Sequence, residues 1–249
     1  EATGLSKEKQ EEIMMEYVAL DLETTGLEPS KDRIIEIGAV KVRNKEVVGE
    51  YGTLINPQME IPDRITELTG ISNDMVQGKP LIAQALGELL DFCEELPLLG
   101  HNLMFDYSFV KHQAVNAEMV FEKKGMDTLK LARALLPELP SRSLQNLRMH
   151  YEIPQKDAHR ALEDARTTYL LYERLREEFE EKQPKPFAPN ALIYKVKKQG
   201  PVTAAQKRYL QDLIKYHRIE LNVEIDSLTK NEASREIDKI LSTYGKIVR

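Results

Sequence analysis

The segment VALDLETTGL at residues 18–27 joins a short apolar run to two acidic side chains. Residues 17–20 predict a buried β-strand that leads directly into Asp21 and Glu23. Because side chains two positions apart in an extended chain project from the same face, both carboxylates are expected to lie together at the end of this strand. Two negative charges at such a short distance repel each other, and a divalent cation between them relieves this repulsion. Mg²⁺ and Mn²⁺ suit the position, since both prefer carboxylate oxygen ligands. The alternative is that one carboxylate caps the turn that follows.

The segments around this strand predict an alternation of strands and helices. Strands are expected at 34–42 and 47–55, joined as a hairpin through the polar turn 43–46, and a short strand is expected at 98–100. Helices are predicted, in chain order, at 62–68, at 81–93, along the apolar face of Phe105, Phe109, Val110 and Ala114, at 126–135, at 143–150, and from about Asp157 to beyond Phe179. This alternation indicates an α/β layer structure, and the hairpin makes its sheet mixed rather than purely parallel.

A third carboxylate, Asp106, lies in the segment HNLMFD at 101–106, where a strand ends and a helix begins. Ligands of open α/β sheets collect at the carboxyl edge of the strands, so this position favours a site residue. The alternative is an ordinary acidic residue at a helix N-terminus, where it interacts favourably with the helix dipole.

The segment HRALED at 159–164 supplies a histidine and a further carboxylate. With Asp157 as the predicted N-cap, His159 falls in the first helical turn and Asp164 lies more than one turn along the same helix. The alternative for His159 is a surface residue at a helix start. Considered together, three separate elements each bring a carboxylate to one sheet edge, and one of them adds a base.

These segments resemble the motifs of the DEDDh-type, or DnaQ-like, family of 3′→5′ exonucleases, which includes the proofreading subunit of bacterial replicative DNA polymerase. Residues 18–27 match the first motif of that family, residues 101–109 the second, and residues 159–164 the third in its histidine variant. Residues 68–76 match a further family segment that lies near the 3′ end of the substrate. The resemblance covers about residues 16–180, with every motif in order.

The resemblance implies an α/β, ribonuclease H-like fold with a mixed five-stranded sheet flanked by helices. It also implies a site that holds two divalent metal ions, Mg²⁺ or Mn²⁺. The expected metal ligands, which are also catalytic, are Asp21, Glu23, Asp106 and Asp164. His159 is expected to remove a proton from the attacking water. The residues that match positions near the terminal nucleotide are Thr24, Leu27, Thr69, His101 and Phe105, and the alternative for Leu27 and Phe105 is ordinary core packing.

The chain divides into four predicted parts. These are an N-terminal extension or upstream remnant at 1–15, the exonuclease domain at 16–182, a proline-rich linker at 183–201 and a small helical domain at 202–249. The last part predicts a helical hairpin, because Thr203 with Gln206 and Thr229 with Glu232 have the spacing of capping boxes.

Charge is distributed unevenly along the chain. Residues 183–249 carry a net charge of +6 and the preceding residues −12, within a total of −6. A basic tail on an acidic body attracts phosphate backbones, although a solvated basic face is an equal alternative. The hairpin is therefore expected either to grip nucleic acid, with cations interleaved with tyrosines, or to dock on a protein partner such as a polymerase or an end-processing complex.

The preferred function is a DNA 3′-end exonuclease that releases nucleoside 5′-monophosphates in proofreading, repair or end trimming, including the trimming of CRISPR prespacers. One alternative is an RNA 3′-end exonuclease, and an alternative of another class is a catalytically silent nucleic-acid-binding module. A phosphate-binding NTPase is disfavoured, because no Gly-rich Lys-Ser/Thr loop is present. A cytoplasmic protein is expected, since the single cysteine, Cys93, allows no internal disulfide and no apolar run reaches the ~20 residues that cross a bilayer.

Overall fold

The computed structural model describes residues 16–154, 159–196, 200–221 and 223–247. The predicted N-terminal extension at 1–15 and the predicted N-cap Asp157 lie outside these residues. In the described part, none of the helices combines the length and the apolar character that a membrane crossing requires.

A mixed β-sheet forms the centre of the fold. Its strands are β1 (Glu16–Thr24), β2 (Ile34–Arg43), β3 (Glu46–Leu54), β4 (Leu98–Gly100), β5 (Lys124–Asp127) and β6 (Asn190–Ala191). Their spatial order is β3-β2-β1-β4-β5-β6, so β1 lies inside the sheet. The pairs β1–β2, β2–β3 and β5–β6 are antiparallel, whereas β1–β4 and β4–β5 are parallel. The predicted α/β class and mixed sheet are therefore confirmed, with one strand more than expected.

Helices cover both faces of this sheet and alternate with its later strands along the chain. They are α1 (Asp63–Thr69), α2 (Asn73–Val76), α3 (Ile82–Cys93), α4 (Met104–Asn116), α5 (Thr128–Leu135), α6 (Leu144–His150), α7 (Ala161–Phe179), α8 (Ala204–His217) and α9 (Lys230–Tyr244). Two short 3₁₀ turns occupy Lys185–Phe187 and Ile225–Ser227. The predicted helices are present with ends within one or two residues of the predictions, except that α7 begins at Ala161, about four residues after its predicted start.

Two predicted segments contain strands that were not expected. The helix predicted over 126–135 begins only at Thr128, because its first residues belong to strand β5. Asp127 ends that strand and caps α5, accepting the N–H of Leu129 at 3.0 Å. The sixth strand lies in the segment predicted as a linker, where Phe187 is also buried and its carbonyl accepts the Tyr172 hydroxyl at 3.3 Å. The first part of that segment therefore packs on the sheet and on α7.

Side chains of β1 alternate between two apolar layers. Val18, Leu20 and Leu22 pack with α3 and α4, whereas Tyr17 and Ala19 pack with α5, α6 and α7. By the same alternation, the two acidic residues of β1 share the face that α7 covers. The two layers thus meet at the strand that carries the first predicted motif.

The two predicted C-terminal helices are confirmed, with a difference in their arrangement: they run parallel rather than as an antiparallel hairpin. Their starts meet where the Gln206 amide donates to the Lys230 carbonyl at 2.8 Å. Their ends meet where a ring nitrogen of His217 lies 3.1 Å from the Gly245 carbonyl. Both predicted capping boxes are formed, and an apolar core that includes Leu210 joins the helices. We call α8 and α9 the C-terminal helix pair.

Helix α7 crosses β2 at close range at Gly38. A β-carbon there would lie 2.1 Å from the carbonyl carbon of Ala161 and 2.2 Å from the backbone nitrogen of Leu162. Backbone atoms cannot give way as a flexible side chain can, so only glycine allows the first turn of α7 to rest on the sheet. This contact sets the position of Asp164, which lies in that turn.

We expect Gly38→Ala to destabilise the fold by about 3 kcal/mol or more, because α7 would have to move away from β2. Gly87→Ala is the matched control, since Gly87 lies in α3 and an added β-carbon there has nothing within 4 Å. The control should stabilise the fold by about 0.5–1 kcal/mol. Urea unfolding measures both changes. A Gly38→Ala protein as stable as the unchanged chain would contradict the close crossing.

Candidate active site

Strand β1 presents two carboxylates on one face near its C-terminal end. Asp21 and Glu23 are both half-buried, and they pair across the sheet with Gly38 and Glu36 of β2. The strand continues to Thr24, beyond the predicted end at residue 20. The two carboxylates are therefore held by the hydrogen-bonded ladder of the sheet and not by a loop.

Asp106 reaches the same place from α4. It lies in the first turn of the helix that follows β4 and is 4% exposed. Its Oδ1 accepts the N–H of Leu22 at 3.0 Å. Because Leu22 stands between Asp21 and Glu23, this hydrogen bond fixes Asp106 against the stretch of β1 that carries the other two carboxylates.

The start of α7 adds His159 and Asp164. The ligand atoms of Glu23, His159 and Asp164 lie within 4.8 Å of one another. The prediction that His159 lies in the first helical turn is wrong, because α7 begins at Ala161 with Arg160 as its N-cap. His159 precedes the cap in the left-handed conformation, with φ 59°. Such a conformation is uncommon for a residue other than glycine, and here it turns the exposed imidazole toward the two carboxylates.

The convergence of these groups raises carboxylate pKa values. Burial and four acidic neighbours raise the pKa of Asp21 well above its usual value. These neighbours are Asp106, Asp164, Glu23 and Glu36. Burial and then Asp164 raise the pKa of Glu23 to about 8. Burial also raises the pKa of Asp106, although the N–H of Leu22 opposes this rise. The cluster therefore carries an excess of negative charge, which Arg160 offsets only in part at Glu23.

The donor set fits divalent cations such as Mg²⁺ or Mn²⁺. Its four carboxylates offer only oxygen ligands, which these ions prefer. All the acidic neighbours of Asp21 oppose its ionisation, and a bound cation reverses that effect. His159 offers one nitrogen beside Glu23 and Asp164, and would serve either as a ligand or as a base.

A fifth carboxylate, Glu36, is a residue that the motifs did not predict. It is 5% exposed and accepts from Nε of Arg160 at 3.0 Å, from Nη2 at 2.7 Å and from the N–H of Ala161 at 3.0 Å. Glu36 therefore ties the start of α7 to β2, directly beside His159. The available signal was one acidic residue inside the apolar strand IIEIGAV at 34–40, because a buried acid requires a partner.

Two of the predicted substrate residues, Thr24 and Leu27, lie within four positions after Glu23. Thr24 is buried, and its hydroxyl donates to the Gly26 carbonyl at 2.6 Å. Leu27 is 77% exposed, so it does not pack in the core. The structure thus places an apolar side chain in solvent a few residues from the carboxylates.

His101 is held by the protein through both ring nitrogens. Nδ1 lies 2.8 Å from the Thr128 hydroxyl, and Nε2 lies 3.0 Å from the Arg142 carbonyl. Burial lowers the pKa of this imidazole, although the Arg142 carbonyl opposes the effect. Contact with a substrate would therefore involve the carbon atoms of the ring.

Thr69 and Phe105 complete the predicted substrate set. Thr69 is buried at the end of α1, where its hydroxyl donates to the Ile65 carbonyl at 2.9 Å. Phe105 is partly buried against the core, with its ring centroid 5.0 Å from that of Phe109. Part of the Phe105 side chain therefore packs in the core. Phe105 directly precedes Asp106 in the chain, and part of its side chain remains accessible.

A mixed sheet whose central strand and two flanking helices bring carboxylates to one edge defines a nuclease of the ribonuclease H-like class. The family model described as RNase_T, exonuclease, matches residues 18–172. The DNA polymerase III subunit epsilon of Aquifex aeolicus is 34% identical over 163 residues, which cover 65% of this chain and 81% of that protein. Escherichia coli exonuclease I in complex with a dA16 oligonucleotide shares the fold, with a TM-score of 0.60 at 20% identity over 70% of this chain and 42% of that chain.

The chain belongs to the DnaQ-like, DEDDh-type exonuclease family. The resemblance seen in the motifs and the ribonuclease H-like α/β fold are both confirmed. The DNA polymerase III PolC-type of Caldanaerobacter subterraneus subsp. tengcongensis is 40% identical over 174 residues, which cover 70% of this chain. The chain spans only 12% of the length of that polymerase.

We expect Glu36→Ala to lower the free energy of unfolding by about 2–4 kcal/mol, because it leaves the Ala161 N–H and Arg160 without their buried acceptor. Glu50→Ala is the control, since the Glu50–Arg166 pair also joins the sheet to α7 but is more exposed. The control should cost no more than about 1 kcal/mol. Urea unfolding distinguishes the two, and equal losses would show that Glu36 is only another surface pair.

Stability of the metal-free protein should fall as the pH rises from about 5 to about 8.5. A folded pKa of about 8 for Glu23, against 4.5 ordinarily, means that the folded protein binds more protons in this window, so that raising the pH favours unfolding. With allowance for the partial exposure of Glu23, we expect a loss of about 1–3 kcal/mol. Thermal unfolding in EDTA measures it.

Glu23→Gln should flatten this pH dependence, and added Mg²⁺ should restore stability at high pH by binding the folded state. Glu67→Gln, at an exposed position of α1, is the control and should leave the profile unchanged. If the unchanged protein and Glu23→Gln have the same melting temperature in EDTA at every pH, the Glu23 carboxyl does not have a raised pKa in the folded protein.

Proposed function

We propose that this chain is a metal-dependent 3′→5′ exonuclease. It would hydrolyse the terminal phosphodiester of single-stranded or frayed DNA 3′ ends and release nucleoside 5′-monophosphates. The observation that carries the proposal is the convergence of Asp21, Glu23, Asp106 and Asp164 from β1, α4 and α7 at one place. The raised pKa values of the first three support a site that binds cations.

In this proposal the four carboxylates hold two divalent ions, Mg²⁺ or Mn²⁺, which supply the positive charge that the anionic phosphodiester and the attacking water require. His159 accepts the proton that the water loses as its oxygen bonds to phosphorus. The bond from phosphorus to the 3′ oxygen of the preceding nucleotide breaks, and that oxygen takes up a proton. The exposed position of His159 beside Glu23 and Asp164 suits this transfer, because solvent can then reclaim the proton.

The terminal nucleotide would lie against the residues around the carboxylates. Leu27 offers an exposed apolar surface to the last base, and such a contact is tolerant of sequence. Thr24, Thr69, His101 and Phe105 would shape the remainder of this site. The hydroxyls of Thr24 and Thr69 and the imidazole of His101 are already hydrogen-bonded within the protein, so these side chains have fixed positions.

DNA is the preferred substrate, and a polymerase is the preferred partner. The relatives above are named as DNA polymerase III proteins, which supports both choices. Proofreading, repair and end trimming, including the trimming of CRISPR prespacers, all present the same DNA 3′ end to such a site. The described residues suggest no particular group that would recognise a ribose 2′-hydroxyl.

The decisive experiment uses 5′-labelled single-stranded DNA and RNA of matched sequence, with Mg²⁺, with Mn²⁺ or with EDTA. We expect a metal-dependent ladder that shortens from the 3′ end of the DNA. His159→Ala should lower kcat by about 100-fold to 10,000-fold, because general-base catalysis contributes that much. Faster shortening of the RNA would instead favour the RNA 3′-end exonuclease.

His150→Ala is the matched control, since it removes an exposed imidazole at the end of α6 and should leave the rate unchanged. Calorimetric titration with Mn²⁺ distinguishes the two possible roles of His159. If His159 is a base, His159→Ala should leave the affinity for Mn²⁺ unchanged, and if it is a metal ligand, His159→Ala should lower that affinity. A protein that retards labelled DNA on a gel but degrades neither nucleic acid under any metal would be a binding module and not an enzyme.

A further inference from the structure

The loop at residues 25–33 links the carboxylate strand to the C-terminal helix pair. Its base is closed by two hydrogen bonds: the Thr25 N–H donates to the Arg33 carbonyl at 2.8 Å, and the Arg33 N–H donates to the Thr25 hydroxyl at 2.9 Å. Asp32 braces the interior by accepting the N–H of Glu28 at 2.8 Å. The loop therefore has a defined shape, and it presents the exposed Leu27 shortly after β1 ends.

Helix α9 contacts this loop on its other side. The Arg33 guanidinium forms an ion pair with Glu232, and the two side chains are only 19% and 20% exposed. Arg235, three positions further along α9, donates from Nη1 to the Ser30 carbonyl at 3.2 Å. Arg33 also donates to two carbonyls of the loop itself, at 3.1 Å each. Two side chains of α9 thus engage both the side chain and the backbone of the loop.

Glu232 is itself held in a fixed orientation. One carboxylate oxygen accepts the N–H of Thr229 at 2.6 Å in the capping box of α9, and the other oxygen meets Arg33. Burial opposes ionisation, yet Arg33 and the Thr229 N–H together lower the pKa of Glu232 below its usual value. The ion pair is therefore part of the helix start, which is a rigid support.

The same junction faces α4, the helix that carries Asp106. His112 of α4 is buried near the ion pair, and burial followed by the Arg33 charge lowers the pKa of its imidazole. A cavity of about 360 Å³ lies at this junction, with Arg33, His112 and Glu232 among its lining residues. The C-terminal helix pair therefore meets the exonuclease domain at a junction of charged side chains formed by the loop, α4 and α9.

We propose that the C-terminal helix pair positions the loop at 25–33 for the terminal nucleotide, through Glu232 and Arg235. The proposal rests on the exonuclease function proposed above and assigns its effect to substrate binding. Arg33, Glu232 and Arg235 are positioning residues, since they act through Leu27 and not on the reacting atoms. Glu23 is held by the ladder of β1 and β2, so loss of the contact should leave the hydrolytic step intact.

Glu232→Gln is the test variant, because glutamine keeps a capping box, as Gln206 does at the start of α8. It removes only the charge that pairs with Arg33. Steady-state kinetics on single-stranded DNA should show KM raised about threefold to tenfold with kcat changed less than about twofold. Asp226→Asn is the matched control, since Asp226, in the 3₁₀ turn between the two helices, pairs with Lys207 of α8, and it should change neither constant.

A Leu27→Ala background separates positioning from a merely structural role. If Glu232 acts through Leu27, adding Glu232→Gln to Leu27→Ala should raise KM by less than about twofold, because both changes remove one contact. An equal rise in KM in both backgrounds, a fall in kcat alone, or no change in either background would overturn the positioning role while the unchanged protein still degrades DNA. An unchanged protein that degrades neither DNA nor RNA would instead refute the exonuclease function, and the positioning role with it.

Discussion

Repulsion among carboxylates is the constraint on which this structure depends. Asp21, Glu23, Asp106 and Asp164 are brought together where their charges oppose one another, and burial together with this opposition raises the pKa values of the first three. Rigid supports hold them there: the β1 ladder, the N–H of Leu22 and the first turn of α7. The free energy of folding thus offsets the cost of bringing these charges together before any cation binds. Electrostatic catalysis requires this kind of preorganised site.

Glu36 shows that the partner of a buried carboxylate decides its role. It lies opposite Glu23 in the sheet, yet Arg160 and the N–H of Ala161 satisfy its oxygens. Glu36 therefore acts as an anchor for α7, whereas the carboxylates around Asp21 are left with an excess of negative charge that suits a metal. Glu36 also contributes to the raised pKa of Glu23, so the anchor and the site are electrostatically linked.

The carboxylates of the candidate site could be predicted from short segments of the sequence. The residues that hold these carboxylates in place could not. Each carboxylate lies in a short motif that resembles one of the exonuclease family, and that resemblance supplied the set where strand and helix periodicity left alternatives open and misplaced His159 in a helical turn. Glu36 and Arg160 meet only through the pairing of β2 with β1 and the docking of α7, which no local pattern records. Strand β5, Lys-Gly-Met-Asp, has no strand-forming residues and exists because β4 pairs with it. Likewise, capping boxes determine where α8 and α9 begin, but not that the helices run parallel.

The parallel course of α8 and α9 explains how a small helical domain can contact the loop beside the site. The first turn of α9 holds Glu232 and meets Arg33, while the far end at Tyr244 lies about 20 Å along the helix. The exposed tyrosines at that far end are therefore remote from this contact. A helix start is a firm place for the contact, because the capping box fixes both the backbone and the Glu232 carboxylate. The loop at 25–33 is thus fixed at its base by the end of β1 and on its other side by α9, and it carries the exposed Leu27.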